Sequence, residues 1–221
     1  SIKHPTNRHM IDYILAAGEH LNYGVSYFTL NAADFGVPQR RKRVFFIGKK
    51  NAKPITDVPS KTHSSAGSDD LFSNFPKHLG VGKFIEPFAG EEFAEKQEDA
   101  SSGTYFEELK SVPPGTNYIA LNKLDDYIGR KFKTGSRFWN FLYKLHPNDP
   151  SITIAAQPGP WVGPFHWTNR RLRVHEIVAI QTFPSDYKFF GNRRSVQKQI
   201  GNAVPSLLGR HVEQPHLTVP S

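Results

Sequence analysis

The chain has 221 residues, enough for one large domain or two small ones, and 38% of them are hydrophobic, which excludes a compositionally disordered protein. Lysine and arginine outnumber aspartate and glutamate by 28 to 20, a net charge of +8 that suits a polyanionic partner such as nucleic acid. There is no cysteine, so disulfides, thiolate metal sites and a thiol nucleophile are all excluded within these residues.

Taken in chain order, residues 9 to 22 carry Met10, Ile11, Ile14, Leu15 and Leu21 near helical spacing and predict a helix. Val25 to Leu30 mixes β-branched and aromatic residues and predicts a strand. Val44 to Ile47 is a short apolar run, as in a strand buried on both faces. Proline, serine, glycine and aspartate are frequent from 51 to 75, consistent with a boundary. Residues 86 to 110 form the one acidic stretch, read as a solvated face or loop. Residues 123 to 144 are basic and aromatic, Ser151 to Ala155 alternates like a strand, and a Gly/Pro/Trp loop follows at 157 to 167. Residues 174 to 182 predict a helix stopped by Pro184, and Val196 to Leu208 a helix interrupted at its start by Gly201-Asn202. No apolar run approaches the roughly 18 residues of a membrane span, and no secretory signal opens the chain. An intracellular protein is expected, cytoplasmic and nucleoid-associated if bacterial. Since Met10 is the sole methionine, Ser1 is read as a processed or excised end. No histidine and carboxylate grouping has metal-ligand spacing, so no metal is expected.

Three clusters carry chemistry. The first is Pro38-Gln39-Arg40-Arg41-Lys42-Arg43, leading into Val44-Phe45-Phe46-Ile47-Gly48. In an extended chain Gln39, Arg41 and Arg43 share one face, and two guanidinium forks with an amide suit a phosphate or the polar edge of a base. The alternative is a solvated basic edge guarding a sheet strand. The second cluster runs from Asn169 to Pro184, basic before its helix and apolar within it; the alternative is a core helix with a basic start. The third is Gln199-Ile200-Gly201-Asn202-Ala203-Val204-Pro205, whose Gly-Asn permits a tight turn that either meets a ligand or only caps a helix.

Their order and spacing are specific together. Gly36 to Arg43, then a long variable stretch with Thr153-Ile154 near its end, then Arg171-Leu172 with Glu176, Ala179, Gln181, Phe183 and Pro184, then Gln199 to Pro205, resemble the C-terminal half of the cytosine-C5 DNA methyltransferase family, its motifs VIII, IX and X. The resemblance implies an α/β fold: the C-terminal part of a Rossmann-like methyltransferase sheet (1–50), a small, irregular, mainly β target-recognition domain (51–170), and a hinge helix returning to the catalytic domain (171–221). It implies restriction–modification chemistry, with methyl transfer from S-adenosylmethionine to a cytosine flipped out of double-stranded DNA. On these positions Arg43 would donate to the cytosine O2, Arg41 would organise the pocket and Gln39 would support both. Asn202, with Gly201 and Ala203, would sit beside the cofactor, and Arg171, Glu176 and Gln181 would organise the recognition domain. Base contacts are expected from Arg130, Lys133, Arg137, Gln157 and Trp161.

Two departures stand out. The family's Thr after Arg-x-Leu is Arg173 here, which has no acceptor for a capping box with Glu176. The family's glycine-rich cofactor loop, Pro-Cys nucleophile and Glu-Asn-Val acid belong before residue 39 and are not present; Phe88-Ala89-Gly90-Glu91-Glu92 is similar to the glycine loop but lacks its second glycine and lies on the wrong side of the first cluster. The resemblance therefore implies a chain that is inactive without an N-terminal half, either a separate subunit or a removed domain. The alternatives are a non-catalytic, sequence-specific DNA-binding module derived from such an enzyme, and a generic basic nucleic-acid-binding domain.

Overall fold

A computed structural model describes residues 8–65, 75–123 and 138–213; Arg130, Lys133 and Arg137 lie outside the described residues. The first helix, α1 (Arg8–His20), carries Ile11 inward. It leads through Asn22, at φ 59°, into β1 (Tyr23–Asn31). A 3-10 turn (Ala32–Phe35) closes on Gly36 at φ 79°, a left-handed position that a residue with a Cβ adopts only with strain, and the chain returns as β2 (Lys42–Lys50). β1 and β2 pair antiparallel from Tyr23 opposite Lys50 to Asn31 opposite Lys42.

Among the described residues the sheet has these two strands only. The expectation that Val44 to Ile47 is buried on both faces is therefore corrected. All four residues are partly exposed: Phe45 and Ile47 pack against the cluster that holds Leu208 and Val212, but among the described residues no third strand covers the run.

The middle of the chain is built from short helices, α2 (Gly82–Ile85) and α3 (Phe106–Ser111), several 3-10 turns and isolated bridges. A mainly β recognition domain was expected, but the described residues of 51–170 hold no strand longer than a bridge. Pro147, Pro150, Pro158, Pro160 and Pro164 explain much of this, since proline cannot donate to a ladder. The closing helices are α4 (Val174–Ile180), α5 (Arg193–Asn202) and α6 (Ser206–Glu213). The helix expected over 196–208 is thus two helices. Gly201-Asn202 ends the first rather than starting one, and Pro205 permits the second to begin at its own first turn.

Three apolar clusters organise these elements. Leu30, Phe35 and Val37 meet Leu208 and Val212, so α6 packs on the sheet end. Ile85, Leu145, Ile152 and Ile154 meet Leu172, Ile177, Ile180, Val196 and Ile200, joining the middle segment to α4 and α5. Leu109, Tyr118, Leu121 and Leu142 enclose Trp161 and Phe165 in a core of their own.

Candidate active site

The three clusters converge on one buried polar knot. Gln39 and Arg41, just ahead of β2, are fully buried, which overrides the reading of this segment as a solvated edge. Their burial follows from pairing with the segment after Pro150: Arg40 N–H donates to Ser151 O at 2.8 Å, and Ser151 N–H to Pro38 O at 2.8 Å. Beyond that point side chains take over. Ile154 N–H donates to Gln39 Oε1 at 3.2 Å, and Arg41 Nη1 donates to Ile154 O at 3.1 Å. The strand expected over Ser151 to Ala155 is consequently a single bridge to Gln39, because an amide and a guanidinium stand where a neighbouring strand would pair.

Arg41 also donates through Nη2 to Gly201 O and, at 3.0 Å, to Ala203 O, the last carbonyls around the C-terminus of α5. A cation at that end is favoured by the helix dipole. Gln39 Nε2 donates to Gln181 Oε1 at 3.3 Å, and Gln181 Nε2 to Ile200 O at 2.7 Å. One arginine and two glutamines thereby lock residues 39–41, 154, 181 and 200–203 together. Burial, and then the charge of Arg43, push the Arg41 pKa down to about 10, so it remains a cation at neutral pH. Gly201 fits because a Cβ there would stand 2.4 Å from Ala156 Cα.

Arg43, two residues on along the same face, is only partly buried and uses one nitrogen, donating to its neighbour's carbonyl, Lys42 O, at 2.9 Å. The rest of its fork makes no hydrogen bond among the described residues. Asn202 is exposed at the end of α5 and makes no side-chain hydrogen bond among the described residues, whereas the Gly201 and Ala203 carbonyls are already engaged by Arg41. Of the three positions expected beside a cofactor, Asn202 is the one whose side chain is free to meet a ligand. Gln157 is exposed on the 155–165 loop. The expected base contact by Trp161 is corrected: its ring is buried against Tyr105 and Phe165, and Gly103 exists to admit it, since a Cβ there would lie 2.2 Å from the indole.

The start of α4 corrects another expectation. The acidic stretch is not merely solvated. Glu95 Oε1 accepts from Val174 N–H at 2.7 Å, supplying the cap that Arg173 cannot, while Glu176 Oε2 accepts from Arg173 N–H at 2.8 Å. The same Glu95 pairs with Arg193, and Glu98 pairs with Arg173. Arg170 holds Glu176 through both oxygens, at 2.9 and 2.6 Å. Sequence spacing gave no sign of the Glu95 and Glu98 contacts; Arg170 with Glu176 six residues later was the one signal available.

His166 sits behind this ion-pair group. Its Nδ1 accepts from Thr168 N–H at 3.1 Å, which leaves the proton on Nε2. Burial, then the charges of Arg170 and Arg173, push its pKa down from 6.5 to about 3. The unfolded chain takes up a proton near 6.5 and the folded one only near 3, so this contribution to stability is whole above 6.5 and is lost as pH falls. The expected loss at pH 5 is about 2 kcal/mol. Urea melts at pH 7 and pH 5 check it, with His166→Gln flattening the difference.

The fold and the site together define an α/β scaffold that closes around an open arginine and carries no nucleophilic thiol. The chain belongs to the family described as C-5 cytosine-specific DNA methylase, which matches residues 1–216. The type II methyltransferase M.SacI of Streptomyces achromogenes is 40% identical over 96% of this chain, and M1.HphI of Haemophilus parahaemolyticus 32% identical over 89%. The chain spans about half the length of these curated relatives, 56% and 48%. In fold it is similar to a prophage-encoded DNA modification methyltransferase of E. coli (TM-score 0.52, 19% identity, 96% of this chain and 64% of that one). It is similar also to the S. pombe Dnmt2 methyltransferase (TM-score 0.50, 13% identity, 97% and 63%).

Proposed function

We propose that this chain is the DNA-recognising half of a DNA (cytosine-5-)-methyltransferase, working on a cytosine flipped from double-stranded DNA. Residues 1–50 would form the end of the catalytic domain, 51–170 the recognition domain and 171–221 the hinge and return. The observation that carries this reading is the placement of Arg41 and Arg43. Arg41 commits both terminal nitrogens, to Ile154, Gly201 and Ala203, so it fixes the pocket wall although its Nε is unpartnered, while Arg43 uses one terminal nitrogen on its neighbour's carbonyl. A pure DNA-binding module needs no such division of labour.

In this reading Arg43 donates to the O2 of the flipped cytosine, and charge that builds on the ring during attack at C6 is met by a fixed cation. Arg41, Gln39 and Gln181 are positioning residues. Gln157 on its exposed loop reads a base edge, adenine being the usual partner of an amide, with Arg130, Lys133 and Arg137 contributing base or phosphate contacts. S-adenosylmethionine, when bound, supplies the methyl group, and Asn202 would help hold it beside groups of the other half. The two-stranded sheet, partly exposed on both faces, supports a second half that completes the sheet and brings the Pro-Cys nucleophile.

The test is transfer of labelled methyl to DNA by this chain alone and mixed with a Pro-Cys-bearing N-terminal half. Activity in the mixture only is expected. DNA binding with sequence preference but no transfer in any mixture would instead favour a non-catalytic module.

A further inference from the structure

A cavity of about 90 Å³ lies between the 155–165 loop and the starts of α4 and α5, walled by Ile154, Pro158, Gly159, Arg171, Arg193 and Gln197. Arg43 does not line it. Arg193 is committed, to Glu95 and to Leu172 O, and Gln197 donates to Ala155 O at 3.2 Å. Arg171 is not. Its Nε is buried without a partner, and its guanidinium makes no hydrogen bond or ion pair among the described residues, although its backbone is fixed by Glu98 O and by Arg170. The neighbouring arginines each have carboxylates, Arg170 on Glu176 and Arg173 on Glu98. A partly buried cation with an unmet donor, on the wall of a cavity, is costly unless an acceptor arrives.

We propose that this cavity takes one backbone phosphate of the bound DNA, with Arg171 as its principal donor. The cavity suits this anion for three reasons. It holds several waters' worth of volume, enough for a phosphate group. A guanidinium fork matches two phosphate oxygens. The loop forming its wall also carries exposed Gln157, so a phosphate held here would fix the register in which that loop meets base edges. This site rests on the proposed function only in taking DNA as the ligand.

The experiment is binding of a fluorescent DNA duplex to the full chain between 50 and 200 mM salt, for wild type, Arg171→Gln and Gly159→Asp. A Cβ at residue 159 meets only Val162 Cγ2, at 3.4 Å, so the aspartate can be accommodated and puts a carboxylate on the cavity wall. Arg171→Gln is expected to keep its melting temperature and sequence preference but lose close to one unit of salt slope, so that its deficit against wild type shrinks about 3.5-fold across that range. Gly159→Asp is expected to weaken DNA binding while raising the melting temperature, an outcome that a purely structural Arg171 would not give. An unchanged salt slope in both variants, with wild type binding normally, overturns the phosphate site and leaves the proposed function standing. Inorganic phosphate raising the wild-type melting temperature through Arg171 with DNA affinity unaltered would reassign the cavity to free phosphate and likewise overturn it. Failure of methyl transfer with an intact slope difference would sink the proposed function alone.

Discussion

Arg41→Ala is expected to destabilise the chain by about 3–5 kcal/mol, whereas Arg43→Ala, two residues away, is expected to leave stability within about 0.5 kcal/mol of wild type. The difference lies in what each fork touches. Removing Arg41 orphans the carbonyls of Ile154, Gly201 and Ala203 in the interior, and no nearby donor replaces it. Charge-assisted hydrogen bonds contribute about 1.5–3 kcal/mol each, but Ala203 is partly exposed and water recovers some of the loss. Arg41→Lys should lose much of the same, because an ammonium cannot reach three carbonyls in a planar fork. Among the described residues Arg43 donates a hydrogen bond only to the carbonyl of Lys42. Its alanine variant should nevertheless lower methyl transfer by the reconstituted pair by about 10²–10³-fold, the usual effect of losing a donor to developing charge. Urea melts and transfer assays on both variants separate the roles. An Arg41→Ala chain as stable as wild type would mean the knot does not hold these segments, and a fully active Arg43→Ala pair would remove Arg43 from the pocket.

Local pattern made α1, β1, β2 and α4 legible, because each depends on its own periodicity. The burial of Gln39 and Arg41 was not. Their residue types point to a surface, and only the arrival of Ser151, Gln181 and Gly201 from far along the chain makes partners for them. The fate of Ser151 to Ala155 fails to show for the same reason: alternation identifies a segment that can pair, and here its partner is a pair of side chains. Trp161 looked like a surface aromatic in a glycine- and proline-rich loop, yet Gly103 opens a slot for its ring. The candidate site was legible only through family resemblance, which already assigned Arg41 as organiser and Arg43 as donor, while the full burial of Arg41 and the carbonyls it meets depend on segments far along the chain.

Glu95→Ala should be the most damaging change in the acidic stretch, at about 2–3 kcal/mol. The side chain does two jobs with two oxygens: Oε1 caps Val174 N–H, and Oε2 pairs with Arg193. Loss of a cap costs about 1 kcal/mol, and the charge-assisted bond adds a comparable amount after allowance for the one-fifth exposure of both partners. Glu95→Gln keeps an acceptor for the cap and should recover about half of the loss. Arg173→Thr puts a hydroxyl where the family has one, and that hydroxyl would accept from Glu176 N–H, a donor Glu95 does not engage, so its effect should add to that of Glu95→Ala. The same change leaves Glu98 without Arg173, which sets its cost against the new cap. Thermal melts of the two single variants and the double measure this coupling. Additivity is the expected result, and a coupling well above about 0.5 kcal/mol would mean that the two groups compete for one N–H.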